Sequence, residues 1–509
     1  MATIPVKYDV VLDSAGSGLA FKEAIALCTQ VPPDRQKVMI KGGLLKDDTD
    51  LSKIGARAGQ QFLVLGAAGA LPKAPETPVM FLEDMKGDAL TKAVRAREEP
   101  RRHGVTNRQA DLRVGLTNLG NTCYLNSTLQ VLRTVPELQD ALNVYSGGVG
   151  AGDGDVGLTA SLRDLYRDMG RSQEAFPPLV FLSMLRKIAP QFAETGEGGG
   201  YAQQDAEEAW VRILNALGTH LPAKQGADRF VQQYMRGVMA TERSCVDAPQ
   251  EGVSTTTEPF LMLHCNISSS TNEMTAGILD SLTQKIEKQS SELGRTATYD
   301  EKSRIARLPS YLTVHFVRFY WRRDIGKKTK IMRKVKFPLA LDATPFATDE
   351  LAEKLKPVGQ KIMAVEKERE ERAKVRQRTK QPAGASAPAS DDAQPPPTAG
   401  AAITDDDERG LRVKERDEVQ AAVSPELRDD RGCSVSGLYE LVGIVTHKGA
   451  AADAGHYISW VRKEGSRDAL AAPSDEWYKF DDDRVSIVNA DKVRALDGGG
   501  EVLYRSRTL

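Results

Sequence analysis

The stretch from Gly115 to Gln130, Gly-Leu-Thr-Asn-Leu-Gly-Asn-Thr-Cys-Tyr-Leu-Asn-Ser-Thr-Leu-Gln, sets the strongest constraint on this chain. A Gly/Asn-rich turn runs directly into a helix, with Leu125, Leu129 and Leu132 at helical spacing and Asn126 and Gln130 off that stripe. Cys123 falls at the junction. The unpaired N–H groups and positive dipole end of a helix N-terminus favour thiolate over thiol there, which is the nucleophilic form. A free cysteine is also a common small buried hydrophobe, so this stretch alone leaves both readings open.

Composition narrows the choices. At 509 residues the chain has room for roughly three domains. A net charge of −1 argues against binding nucleic acid through global charge. No apolar run reaches the ~18 residues of a membrane span. The five cysteines (Cys28, Cys123, Cys245, Cys265, Cys433) are odd in number and none forms a C-x-x-C. That pattern fits a reducing cytosolic or nuclear compartment and offers no zinc ribbon.

Along the chain, Ile4–Leu12 reads as a strand, Leu19–Cys28 as a helix, and Gln36–Gly43 and Gln61–Gly66 as strands, which together make a small α+β unit. Pro72–Pro78 breaks structure and Arg95–Arg113 reads as a basic linker. Leu158–Met169, Pro177–Phe192 and a segment opening at Tyr201–Trp210 read as helices. Asp205 and Glu208 share a face near the start of the last, which also suits a plain capped surface helix. Ile278–Lys288 is expected to be a helix. Leu308–Phe319 is an apolar strand suited to a sheet centre. Tyr439–His447, Gly455–Val461 and Trp477–Val485 form a meander of strands. Between 357 and 430 lies a segment rich in charge, Ala, Pro and Ser; its composition predicts disorder, with a transiently helical first half.

Thiol hydrolysis needs a nucleophile, a base, a group that orients the base, and donors for an oxyanion. Six histidines are present. His103 lies in the linker, His220 ends a helix, and His264 and His315 sit within apolar strands. His447 and His456 flank a small-residue loop. His456 follows Gly455 at a strand start, which exposes an imidazole to a cleft, and Asp481 follows an aromatic strand of the same meander.

Gly115–Gln130, Gln203–Glu208, Gly455–Trp460 and Trp477–Asp483 resemble the cysteine and histidine boxes of the ubiquitin-specific proteases. Arg35–Gly43 and Leu45–Asp48 resemble the middle of a ubiquitin-like β-grasp module, although Gly66–Pro72 runs on where a modifier would end in Gly-Gly. Leu308–Phe319 and Lys334–Leu339 resemble the proteasome-associated branch of that family. The resemblance implies an α+β chain: a ubiquitin-like domain over 1–75, a linker over 76–112, and a papain-like catalytic domain of thumb, palm and fingers over 113–509. It implies Cys123 as nucleophile, His456 as base, Asp481 (or its neighbour Asp482) as the orienting carboxylate, and Asn118 as oxyanion donor. Gln203, Gln204, Asp205, Tyr457 and Trp460 would contact the ubiquitin tail. Cys245 and Cys265 stand singly, so no fingertip zinc and no other cofactor is expected. Implied partners are ubiquitin, polyubiquitinated proteins and the 26S proteasome regulatory particle, reached through the ubiquitin-like domain, in cytoplasm and nucleus. Gating loops would lie at about Trp321–Lys330 and Lys448–Ala454. The competing reading is a proteasome regulator that binds ubiquitin as a non-catalytic scaffold.

Overall fold

The computed structural model describes residues 10, 12, 17–29, 31, 33, 36–40, 43–49, 51, 60, 62–65 and 114–507. Within the last span it omits 151, 197–198, 224–228, 323–326, 381–403, 450–454, 464–474 and 497–499. The chain divides into two units, Met1–Phe81 and Leu82–Leu509. Most of the expected Ile4–Leu12 strand and the whole 76–112 linker lie outside the described residues.

In the first unit, helix α1 (Gly18–Thr29) accompanies a three-stranded antiparallel sheet of β1 (Lys37–Ile40), β2 (Gly43–Leu44) and β3 (Leu63–Leu65), in the order β2-β1-β3. Phe21, Ile25, Val38, Leu45 and Leu51 form its core, with the rings of Phe21 and Phe62 edge-to-face. A Cβ at Gly18 would sit 2.1 Å from the Lys46 carbonyl oxygen, so the helix starts on glycine.

The second unit begins with a helical layer: α2 (Cys123–Leu132), α3 (Pro136–Val144), α4 (Gly154–Met169), α5 (Leu179–Ile188), α6 (Ala206–His220) and α7 (Phe230–Tyr234). Asp153 and Asp205 cap α4 and α6 by accepting from the N–H of Asp155 and Glu207. All ten residues of α2 are buried, its polar ones included, so it is a central helix rather than the amphipathic one its leucine spacing suggests. Its polar side chains are satisfied inside the protein: Gln130 donates to Val114 O at 2.8 Å and Thr128 to Tyr124 O at 2.9 Å.

Next come β4 (Gly237–Cys245), β5 (Val253–Phe260), β6 (Leu263–Asn266), α8 (Met274–Ser281), β7 (Thr283–Gln289), β8 (Thr296–Arg307), β9 (Tyr311–Val317), β10 (Phe319–Arg322), β11 (Lys327–Lys330) and β12 (Ala340–Asp342). Helices α9 (Asp349–Lys380), α10 (Asp405–Ala422) and α11 (Pro425–Asp429) follow. The chain then forms β13 (Leu438–Lys448), β14 (His456–Arg462), β15 (Glu476–Asp481), β16 (Arg484–Asn489), α12 (Ala490–Arg494) and β17 (Glu501–Ser506). The large sheet runs β16-β15-β14-β13-β17-β9-β6, with β12 beside β13, and only β6 and β9 pair in parallel among its described strands. Leu129, Val445, Tyr457, Val461 and Leu503 pack between this sheet and the helical layer. Val314, Phe316, Ile444, Val502 and Tyr504 pack on the other face with α9 and α10. Burial on both faces explains why β9 and β13 read as continuous apolar runs. A Cβ at Gly443 would lie 2.6 Å from Val131, so glycine there lets α2 settle onto β13.

A separate sheet, β5-β4-β8-β7, departs from expectation. The helix predicted over Ile278–Lys288 stops at Ser281, and Thr283–Gln289 is a strand in which Ile286 faces Tyr299. The apolar period ends at Leu282; beyond it, pairing with β8 overrides local preference. At the end of this sheet Glu251 accepts hydrogen bonds from Tyr299 at 2.8 Å, Ser290 at 3.0 Å and Ser291 at 3.2 Å.

The expectation of disorder over 357–430 is corrected for its described parts. Leu355, Val358, Ile362 and Val365 of α9 are buried, as is Val419 of α10. Thr404 and Asp407 form a capping box at the start of α10. Arg372 reaches Glu408 at 3.0 Å and Glu415 at 2.5 Å, while Arg369 holds Glu415 at 2.6 Å. Counting charges hid both the apolar stripe and the pairing of opposite charges across two helices. Arg372→Ala would leave Glu408 with Arg412 and Glu415 with Arg369, each short of one partner. It is expected to lower stability by on the order of 1–2 kcal/mol, read as a reduced denaturation midpoint.

Candidate active site

The turn before α2 is built on two left-handed residues, Gly120 (φ 94°) and Asn121 (φ 53°). Asparagine tolerates that region better than most side chains, and the Asn121 amide donates to Tyr201 O at 2.9 Å. Asn118 Oδ1 accepts from the N–H groups of Gly120 and Thr122. Its Nδ2 donates to Asp482 Oδ2 at 2.8 Å, and Asn126 Nδ2 of α2 donates to Asp482 Oδ1 at 2.8 Å. A Cβ at Gly115 would collide with the carbonyls of Asp482 and Asp483, and Leu116 N–H donates to Asp482 O at 3.0 Å. The β15–β16 turn, where Asp482 itself has φ 53°, is thus strapped against the segment leading to Cys123.

Cys123 opens α2 and is 2% exposed. Its Sγ accepts from Gln203 Nε2 at 3.2 Å and from Tyr457 N–H at 3.4 Å. Burial pushes the thiol above its ordinary range, and the nearby Asp482 charge adds to this. The Gln203 and backbone donors oppose the shift without overcoming it. Burial thus works against the thiolate that the helix terminus favours. Alkylation of Cys123 by iodoacetamide should be slow at neutral pH and accelerate only above the usual thiol range. Peptide-resolved mass spectrometry separates it from the exposed Cys28. Rapid alkylation at pH 6 would contradict this.

His456 opens β14, and its Nε2 lies 2.6 Å from Asp481 Oδ1 and 4.0 Å from Asp482 Oδ2. Lys479 Nζ donates to the other Asp481 oxygen at 2.8 Å. Burial works against the Asp481 charge, but Lys479 and His456 outweigh it and hold the carboxyl below its ordinary range. Asp481 and Asp482, alternatives in sequence, have different jobs in space: the first bonds the imidazole, the second bonds Asn118 and Asn126. Among the described residues no hydrogen bond joins Cys123 to His456. A Cβ on Gly455 (φ 144°) would sit 2.4 Å from His447 Nε2, so only glycine carries the chain into His456 at this point.

Of the residues expected to meet the substrate tail, Gln203 touches Cys123, and Gln204 and Asp205 are partly buried on the same stretch leading into α6. Asp205 and Tyr457 line a cavity of 170 Å³ with His315, Phe319, Lys330, His447 and Glu501. Trp460 does not join them. Three residues beyond Tyr457 it points to the opposite face of β14. There it packs in the second core and donates from Nε1 to Thr446 Oγ1 at 3.0 Å.

The cavity's far wall, built from β9 and β17, was not legible beforehand because it depends on which strands pair. At its mouth Lys330 of β11 donates to His447 O at 2.6 Å and Gly449 O at 3.2 Å, and lies 3.1 Å from His447 Nδ1. This ties the β10–β11 hairpin, part of the expected first loop, to the start of the second. Residues 323–326 and 450–454 of those loops lie outside the described residues. Burial, then the Lys330 charge, depresses His447 to about 4, so its ring is neutral at physiological pH.

A cysteine at a helix start, a carboxylate-bound imidazole and an asparagine amide, set between a helical layer and a sheet, are the residue types that thiol hydrolysis needs. The family model described as "Ubiquitin carboxyl-terminal hydrolase" matches residues 114–504, and the chain belongs to that family. It is a cysteine-type deubiquitinase of the ubiquitin-specific protease class. Ubiquitin carboxyl-terminal hydrolase 6 of Schizosaccharomyces pombe is 41% identical over 511 residues, covering 99% of this chain and 97% of the relative. Ubiquitin carboxyl-terminal hydrolase 6 of Arabidopsis thaliana is 36% identical, covering 100% of this chain and 99% of the relative. The fold is similar to that in the SAGA DUB module Ubp8/Sgf11/Sus1/Sgf73 bound to monoubiquitin. That match has a TM-score of 0.50 and 20% identity, and covers 84% of this chain and 77% of the other.

Proposed function

We propose that the enzyme cleaves the isopeptide bond between the C-terminal glycine of ubiquitin and a lysine amine. Cys123 acts as nucleophile, His456 as general base and acid, Asp481 as its orienting carboxylate and Asn118 as oxyanion donor. The observation that carries this reading is the convergence of Asn118, Cys123, His456 and Asp481 from distant segments, with Asp481 already 2.6 Å from the imidazole. The tail runs along Gln203, Gln204 and Asp205, with Tyr457 opposite; a Gly-Gly terminus suits that narrow passage because it carries no side chains.

Entry of the tail displaces Gln203 from Sγ. The thiol proton passes to Nδ1 of His456, since Asp481 engages Nε2, and Sγ attacks the glycine carbonyl. Asn118 Nδ2 bonds Asp482 through one hydrogen and offers the other to the oxyanion, beside the Cys123 N–H. Collapse breaks the C–N bond, and the lysine amine leaves with the proton from His456. Water, deprotonated by His456, then hydrolyses the thioester.

We further place this activity at the 26S proteasome, in cytoplasm and nucleus, where it trims chains from bound substrates. The first unit acts as a ubiquitin-like docking module. The resemblance of residues 35–48 and the separateness of that unit support this. The test is labelling by ubiquitin with a thiol-reactive C-terminus, with and without purified 26S particles, for wild type, Cys123→Ala and a chain lacking residues 1–75. Labelling that needs Cys123, rises with proteasome and loses that rise in the truncated chain is the expected result. Labelling indifferent to proteasome keeps the hydrolase and discards the partner. Binding of ubiquitin without labelling would favour a scaffold.

A further inference from the structure

The segment between α5 and α6 passes beside the nucleophile as a narrow ribbon. Ala202 N–H donates to Glu194 O and Gly196 N–H to Gly200 O, each at 2.8 Å, and Thr195 pairs with Tyr201. Residues 194–196, 199 and 200 are exposed, so the ribbon has little core of its own. A two-stranded ribbon is marginal in water and needs packing from outside to keep its place.

Arg186, in the last turn of α5, supplies that packing; it is 7% exposed. Its guanidinium carbon lies 3.4 Å over the centre of the Tyr201 ring, and its Nε donates to Phe192 O at 3.2 Å. Phe192 precedes the ribbon and Tyr201 lies on its return, so one buried guanidinium holds both legs. The Phe192 ring in turn stacks on Tyr124 of α2, with centroids 5.9 Å apart and an interplanar angle of 12°. Burying a cation is costly, and an aliphatic side chain would serve if filling space were the whole task. A planar guanidinium stacks on a ring with its face and keeps an N–H for a carbonyl at its edge.

Tyr201 leads to the reacting atoms by two routes. Its carbonyl accepts from Asn121 Nδ2 at 2.9 Å, at the left-handed turn that follows Asn118. Two residues on, Gln203 Nε2 reaches Cys123 Sγ at 3.2 Å, while Gln203 Oε1 is buried without a hydrogen-bond partner. The ribbon therefore holds Gln203 over the thiol, with no second side-chain bond to fix it there. We propose that Arg186 is a positioning residue of the hydrolase. Through Tyr201 and Phe192 O it fixes the ribbon, and the ribbon fixes the Asn118–Asn121 turn and Gln203 against Cys123. This rests on the roles given to Cys123 and Asn118 under the proposed function.

The test uses the full chain as wild type, Arg186→Lys, Tyr201→Leu and the double variant, on ubiquitin carrying a fluorogenic C-terminal amide. Endpoint labelling by ubiquitin with a thiol-reactive C-terminus counts the working sites, so unfolded molecules drop out of kcat. Lysine keeps the charge and loses the plane that lies on the ring. Arg186→Lys should lower kcat per labelled site about tenfold, the scale of one desolvated cation–π contact, and leave KM within about twofold. Alkylation of Cys123 by iodoacetamide should quicken about fivefold, because Gln203 covers the thiol less firmly. The double variant should be no slower than Tyr201→Leu alone, since both changes break one contact. An unchanged kcat per labelled site beside a lowered denaturation midpoint would make Arg186 a plain packing residue and overturn the proposal. Additive losses, or a change confined to KM, would overturn it too. If Arg186→Lys yields no labelled sites, Tyr201→Leu decides by the same kcat and alkylation rates. A wild type that the ubiquitin probe does not label would overturn the underlying reading and this proposal with it.

Discussion

Replacing Cys123 with serine should lower kcat/KM on a ubiquitin C-terminal amide by roughly 10⁴–10⁶-fold, the range seen when a nucleophile that works as a unit with its base is removed. The substitution is small in structural terms. Sγ sits under two donors, Gln203 Nε2 and Tyr457 N–H, and a serine hydroxyl accepts both. The fold and the affinity for ubiquitin should therefore persist, and the loss should appear in kcat. A serine hydroxyl is far less acidic and less nucleophilic than a thiol, and a site that already disfavours charge on the thiol will disfavour an alkoxide more. Calorimetric titration with ubiquitin, run beside the kinetics, checks both halves; a parallel loss of binding would mean that the serine disturbs the packing of α2.

The second large effect is expected at Asp482, a residue that does not bond the imidazole. Asp482→Ala should lower kcat by about 10²–10³-fold, the scale of losing one oxyanion donor. Without the carboxylate, Asn118 Nδ2 loses its acceptor and Asn126 Nδ2 keeps only the Leu116 and Thr117 carbonyls at 3.3 Å, so the Asn118 amide is held through its Oδ1 alone. Asp481→Ala acts differently, by freeing the His456 ring. Steady-state kinetics on a ubiquitin C-terminal amide checks the Asp482→Ala loss; an unchanged kcat in that variant would show that the Asn118 amide needs no such support.

This division between neighbours shows where sequence reasoning ends. The boxes around Cys123, Gln203, His456 and Asp481 are local patterns of turn, strand and special backbone, and it was their joint resemblance to one family, not any single box, that marked them. Which of two adjacent aspartates faces the imidazole depends on a left-handed residue at a hairpin turn and on how that hairpin lies against a segment far away in the chain. Trp460 was misassigned because a box was treated as a unit, whereas strand alternation sends its members to opposite faces. Glu501 and His315 are unremarkable in sequence and gain meaning only from the β9–β17 register. The helices α9 and α10 were hidden by composition, since Leu355, Val358, Ile362 and Val365 are sparse among charges that turn out to be paired.

The Lys330 ammonium has a thermodynamic consequence beyond its three contacts. Because one group bonds both His447 O and Gly449 O, the β10–β11 hairpin and the end of β13 share a single ordering entropy. Fixing either side lowers the cost of fixing the other. A ligand that engages only one edge of the cavity mouth therefore changes the stiffness of the opposite edge, and the two strand ends respond as one cooperative unit.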